Sequence, residues 1–198
     1  LLVFLNNTGD VYQTDLYVEA INHLEAATGI KYGEDEKKTR AMRIVADHIR
    51  TSVMLIGDRN GIVPSNVGPG YVLRRLVRRA IRYAMKLELP ENSLATLAEI
   101  LINEYNDVYE EFAENKNKII EELALEEKRF SRTLRQGEKE FDKLVSKGIS
   151  KIDGESAFHL YDTYGYPLEL TVEMAKEKGI EVDEEGFIYL VDRKKDVV

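Results

Sequence analysis

The sequence predicts a mainly α protein, a helical bundle of two subdomains with one small β-hairpin near residues 54–63. Three observations carry this. Apolar residues recur at three- and four-residue spacing through most of the chain. Residues 117–147 form one long, charge-dense amphipathic stretch, which suits a helical hairpin or bundle. Only at 54–63 does an Asn-Gly turn fall between short apolar runs. A chain of 198 residues, 43% hydrophobic and 32% charged, can bury a core and does not read as disordered.

Taken in order, Asn6 to Asp10 is turn-rich after a short apolar start. Thr14 and Asp15 open a helix with Leu16, Ala20, Ile21 and Leu24 at helical spacing, ending near Gly29. Gly33 to Lys38 is a polar loop. Thr39 starts a second helix, with Met42, Ile44, Val45, Ile49, Val53 and Met54 as its apolar positions. The run Gly57-Asp58-Arg59-Asn60-Gly61 then joins Met54-Leu55-Ile56 to Ile62-Val63 as the hairpin. Pro64 to Gly70 is a rigid loop, and Tyr71 to Lys86 is a strong helix. Pro90 divides the subdomains: 1–89 holds the hairpin and the arginine-rich helix, 90–198 the long helix and a C-terminal turn motif. In the second, Glu91-Asn92-Ser93 caps a helix to about Phe112, and the 117–147 helix presents Ile120, Leu123, Leu125, Phe130, Leu134, Phe141 and Leu144. Asp153 begins a short helix to Tyr161, Asp162 to Pro167 is a turn, and Leu168 to Lys178 is helical. The tail from Val182 is read as frayed.

Composition excludes several chemistries. Cysteine is absent, so disulfides, thiol catalysis and cysteine-ligated zinc are out, and a reducing compartment fits. The three histidines, His23, His48 and His159, lie too far apart in sequence to suggest a metal cluster. No apolar run approaches the roughly 18 residues of a membrane span. The start Leu1-Leu2-Val3 lacks a methionine and a basic flank, and reads as cut from a longer chain rather than as a secretory signal.

The net charge of −8 conceals a segregation. From Thr39 to Lys86, ten Lys or Arg stand against two acids, Asp47 and Asp58, a balance of +8 that leaves 18 basic against 34 acidic residues elsewhere. A basic segment in an acidic chain is a candidate anion-binding surface. On a helical wheel, Arg74, Arg75, Arg78, Arg79, Arg82 and Lys86 gather opposite Leu73, Leu76, Val77, Ala80, Ile81 and Ala84. Like charges at this spacing repel, so either internal carboxylates or phosphates must offset them. Arginine at five of the six positions suits planar, bidentate partners of either kind.

Several blocks then carry a family resemblance. Ala46-Asp47-His48-Ile49-Arg50, Val63-Pro64-Ser65-Asn66, and Gly70-Tyr71-Val72-Leu73-Arg74-Arg75 with Arg78-Arg79 resemble the tRNA-recognition region of alanyl-tRNA synthetases. Ala157 to Pro167 (AFHLYDTYGYP) resembles the second signature of that family, and Val182 to Phe187 follows at the expected spacing. The resemblance runs from Asp15 to about Phe187, with residues 90–151 matching mainly in helical character. It implies a cytoplasmic parent, an ATP-dependent alanine–tRNA ligase. The class II catalytic domain, which uses ATP and Mg, is expected before this region, and an editing domain holding Zn after it. By implication this chain holds no catalytic residue, metal or cofactor. Its implied partners are the acceptor stem of alanine tRNA and those two domains of the same parent chain, with no membrane.

The resemblance also implies roles. The alanine acceptor stem is identified by a G·U wobble pair, and RNA exposes base edges in its wide minor groove. Reading the wobble needs a carboxylate for the guanine amino group beside an amide NH2 for the uracil oxygen. Asp162 and Asn66 match the family's readers, and Arg74, Arg75, Arg78, Arg79 and Arg82 are expected on the tRNA backbone. By residue type alone, Asn66 and Asp162 are turn formers and caps. Tyr164 and Tyr166 read as packing residues, and His48 as a hydrogen-bonded interior histidine. The Gly57–Gly61 turn is longer than in many relatives, and Pro69 stands where a basic residue is frequent. The rival readings are a helical protein-interaction module and a free-standing stem-binding RNA-binding protein.

Overall fold

Helical spacing becomes helix throughout the computed structural model, which describes residues 1–195. The chain separates into two compact units, Leu1–Lys128 and Arg129 onward. The division read at Pro90 therefore falls inside the first unit. That unit runs α1 (Leu2–Leu5), a 3-10 turn (Val11–Gln13), α2 (Val18–Thr28), α3 (Glu36–Gly57), α4 (Gly68–Lys86), α5 (Ser93–Tyr105) and α6 (Glu110–Glu114). It also holds the first part of α7 (Lys116–Val145), whose remainder belongs to the second unit. There follow β1 (Lys151–Ile152), α8 (Gly154–Tyr164), α9 (Leu168–Glu177), β2 (Glu181–Val182) and α10 (Glu184–Lys195).

In the first unit, α3 begins where the Asp35 side chain accepts the Lys38 N–H at 2.7 Å, one turn earlier than the Thr39 start expected from apolar spacing. Met42, Val45, Ile49, Val53 and Ile56 form its buried stripe and pack against α4, which contributes Leu73, Val77, Ala80 and Ile81. Leu94, Leu97 and Leu101 of α5 complete this core.

The expected hairpin at 54–63 is not formed. Ile56 continues the Ile49–Val53 spacing and is fully buried, so the core holds the segment in α3 as far as Gly57. The Asn60-Gly61 signal survives only as a reversal: Gly61 N–H reaches Asp58 O at 2.8 Å and Ile62 N–H reaches Leu55 O at 3.0 Å. The strand pairing of the described residues lies instead in the second unit, where β1 and β2 run parallel with Lys151 opposite Glu181 and Ile152 opposite Val182.

In that unit, Asp153 caps α8 by accepting the Ser156 N–H at 2.7 Å. The helix continues past Tyr161 to Tyr164, so Asp162 is helical rather than part of a turn. No breaker stands before Gly165, which ends the helix with φ 72°, a left-handed conformation that favours glycine. Tyr166 is buried, donates its hydroxyl to Leu134 O at 2.7 Å, and packs edge-on against Phe130 at 5.5 Å, as a packing residue should. The tail is also more ordered than expected. Residues 184–195 form α10, and Phe187 is buried with its ring 5.4 Å from Tyr161. The remainder of the tail read as frayed, residues 196–198, lies outside the described residues.

Candidate functional site

Two local arrangements bear the residues singled out by sequence, one in each unit. In the first, the Val63–Val67 loop folds onto the N-terminus of α4. Ser65 N–H donates to Gly70 O at 3.0 Å, and Ser65 Oγ donates to Val67 O at 2.9 Å. Gly70 is required here: a Cβ would meet Ser65 Oγ and stand 2.5 Å from Val63 O. The loop is thereby pressed against α4 with Asn66 exposed at its turn. Pro69 falls within the first turn of α4, where a missing N–H leaves no helix bond unmade. Arg74, two turns up the helix, donates to Asn66 Oδ1 and, at 3.3 Å, to Pro64 O.

The five arginines divide into distinct environments. Arg74 Nε lies 3.2 Å from Glu126 Oε1, and Arg78 donates to the same oxygen at 2.7 Å. The Glu126 side chain is 2% exposed and those of Arg74 and Arg78 are 13% and 15% exposed, so this is a buried two-to-one ion cluster. Glu126 was not singled out by sequence, because it sits among many acids on the charge-dense α7. Arg79 donates to His48 Nε2 at 2.9 Å, and His48 Nδ1 lies 3.0 Å from Asp47 Oδ2. A guanidinium only donates, so Nε2 is the acceptor and Nδ1 carries the proton that bonds Asp47. His48 is thus the hydrogen-bonded interior residue expected. The His48 and Tyr17 hydrogen bonds hold the Asp47 carboxyl below its ordinary value, and burial with that carboxylate nearby pushes Tyr17 up to about 12. Arg75 lies over the Tyr71 ring at 5.5 Å. Arg82 corrects the helical wheel: placed there on the charged face, it is only 4% exposed, beside the Tyr83 ring. The side chains packed around α4, not the helix period alone, decide which of its faces is covered.

In the second unit, Asp162 is exposed in the last turn of α8 and pairs through Oδ1 with Lys194 of α10. Lys194 was not found from sequence because the tail was read as unstructured. One helical turn before Asp162, Phe158 receives the Lys194 ammonium over its ring at 5.8 Å. Thr133 Oγ1 donates to Tyr164 O at 2.7 Å, fixing the end of α8 to α7. The structure thus joins Asn66 to Arg74 in one unit and Asp162 to Lys194 in the other.

Among the described residues there is no group of three or more His, Asp or Glu side chains arranged to hold a metal ion, and no helix long and apolar enough to cross a membrane. The sequence also lacks a glycine-rich phosphate loop.

Comparison with known proteins bears on these arrangements. The family described as "tRNA synthetases class II (A)" matches residues 1–197. The alanine–tRNA ligase of Borreliella afzelii is 45% identical over 187 residues, covering 94% of this chain and 32% of that protein. The enzyme of the same name from Treponema denticola is 46% identical over 190 residues, with the same coverage of each chain. That of Thermotoga sp. (strain RQ2) is 47% identical over 176 residues, 89% of this chain and 20% of that protein. The chain therefore spans about a fifth to a third of the length of these relatives. With nearly every residue inside the family match, and relatives of this identity that are alanine–tRNA ligases, the chain belongs to the class II (A) tRNA synthetases, on the alanyl branch that its sequence blocks resemble.

Proposed function

We propose that this chain is the tRNA-recognition region of an alanine–tRNA ligase of the cytoplasm, and that Asn66 and Asp162 read the G·U wobble pair of the alanine tRNA acceptor stem. The observation that carries this is the loop pressed onto α4. An exposed amide stands at the foot of α4, the helix that carries Arg75 and Arg79. Asp162 supplies an exposed carboxylate, and its pairing with Lys194 is open to exchange: surface ion pairs contribute only about 0–1 kcal/mol. Arg75 and Arg79 are the arginines proposed for the phosphate backbone, giving affinity without sequence choice. Arg74 and Arg78 already share a carboxylate, and Arg82 lies below the surface. In this reading ATP, magnesium and zinc act on other parts of the parent protein.

The test is a titration of matched acceptor minihelices that differ only at the wobble pair, across salt concentration. Asn66→Ala and Asp162→Ala are each expected to reduce discrimination between G·U and G·C by roughly 1–3 kcal/mol, the range for one good bidentate base contact. Neutralising Arg75 is expected to weaken both stems alike and flatten the salt dependence. Discrimination unchanged in both alanine variants would refute the reading of the pair. No RNA affinity at all would return the chain to a protein-interaction module.

A further inference from the structure

We infer that Arg74 is a positioning residue for wobble recognition: braced by Glu126, it grips the oxygen of the Asn66 amide, so that the amide NH2 faces outward. This deepens the proposed function and rests on it. A guanidinium has N–H donors and no acceptor, so the Asn66 atom turned toward it is Oδ1. The same guanidinium also donates to Pro64 O, 3.3 Å from Nη2, and its Nε faces Glu126 Oε1 at 3.2 Å as an ion contact rather than a hydrogen bond. Glu126 is itself fixed by burial and by the 2.7 Å bond from Arg78. The chain of restraint runs from α7 through the guanidinium to an exposed loop side chain.

The chemistry of the groove gives this restraint a purpose. An asparagine amide presents its oxygen or its NH2 according to a rotation that leaves its shape almost unchanged. Presented oxygen-first, it accepts from an exposed guanine amino group whether the pair is G·U or G·C. Presented NH2-first, it gives to the uracil oxygen, which the wobble displaces from the place cytosine's oxygen holds in G·C and releases from the guanine amino group. Fixing the rotation therefore converts a general polar contact into a selective one. Arg74 then acts on choice between stems rather than on affinity for phosphate, which separates it from Arg75 and Arg79.

The experiment compares Asn66→Ala, Arg74→Met and their double variant in the minihelix titration, with Glu126→Gln as a second route that leaves Arg74 in place. In parallel, side-chain 15N relaxation of the Asn66 NH2 is measured in the RNA-free protein. Arg74→Met is expected to lower the preference for G·U over G·C about tenfold, as Asn66→Ala does. The double variant is expected to fall no further, because the two residues act as one unit. The salt slope is expected to stay at the parental value in Arg74→Met, and Glu126→Gln to shift preference in the same direction. The amide is expected to be ordered in the parent and mobile in both Arg74→Met and Glu126→Gln. Equal weakening of both stems with a salt slope reduced by about 1 would make Arg74 a phosphate contact and overturn the inference. So would additive losses in the double variant, or an amide equally mobile in the parent. If Asn66→Ala itself leaves the preference intact, the base-reading proposal fails, and the relaxation measurement still decides whether Arg74 holds the amide.

Discussion

Glu127 on α7 gives the protein a pH dependence opposite to that of most carboxylates. Burial pushes its pKa from 4.5 up to about 7; the Asn92 N–H, at the start of α5, pulls it down, and the Glu91 charge adds to the rise. One of its oxygens, Oε2, is buried without a hydrogen-bond partner. Between pH 4.5 and about 7 the folded protein holds a proton here that the unfolded chain has lost, so stability falls as pH rises through that window. The contribution is fully present below 4.5 and gone above about 7. At about 1.4 kcal/mol for each pH unit the ceiling is about 3.4 kcal/mol, and solvent screening of a partly exposed side chain reduces it to roughly 1–2 kcal/mol. Glu127→Gln keeps the shape and removes the titration. In urea unfolding between pH 4.5 and pH 8, the variant is expected to gain on the parent by that amount as pH rises. Stability curves that run parallel across the range would refute burial as the cause.

Two structural substitutions test the local arguments. Gly70→Ala places a Cβ against Val63 O and is expected to destabilise the protein by about 1–3 kcal/mol. Its backbone amide shifts should concentrate between Val63 and Gly70, as two-dimensional NMR would show. Tyr166→Phe removes the buried hydroxyl that donates to Leu134 O, and a loss of about 1–2 kcal/mol in denaturant unfolding, with no change in helix content, is expected.

Much of the fold was legible because its helices carry strong apolar spacing and explicit caps. Asp153 marks the start of α8 as its chemistry requires, whereas the helix runs past the expected end at Tyr161 to the Gly165 cap. The misreadings have a common origin in tertiary packing. Met54-Leu55-Ile56 is an apolar triplet that fits strand or helix, and only the buried position of Ile56 beside Val53 decides it. Arg82 obeys the charged period of α4 yet is covered by neighbours that the period does not encode. The candidate site was legible in part: Asn66, Asp162 and the arginines stand out by motif, whereas their partners do not. Glu126 differs from the other acids of α7 only in being enclosed, and Lys194 becomes meaningful only once α10 is helical.

The short parallel pairing of β1 with β2 has a mechanical corollary. Bonds from Glu181 N–H to Ser150 O at 3.1 Å and from Asp183 N–H to Ile152 O at 2.8 Å fasten the two ends of residues 153–180, the segment that carries Asp162. Because the entropy of closing such a loop grows only slowly with its length, added residues near its tip would loosen it little. Losing one of those two rungs would weaken the closure of the segment at its base. A clasp of four residues thus works alongside the Thr133–Tyr164 and Tyr166–Leu134 bonds to hold this segment in place.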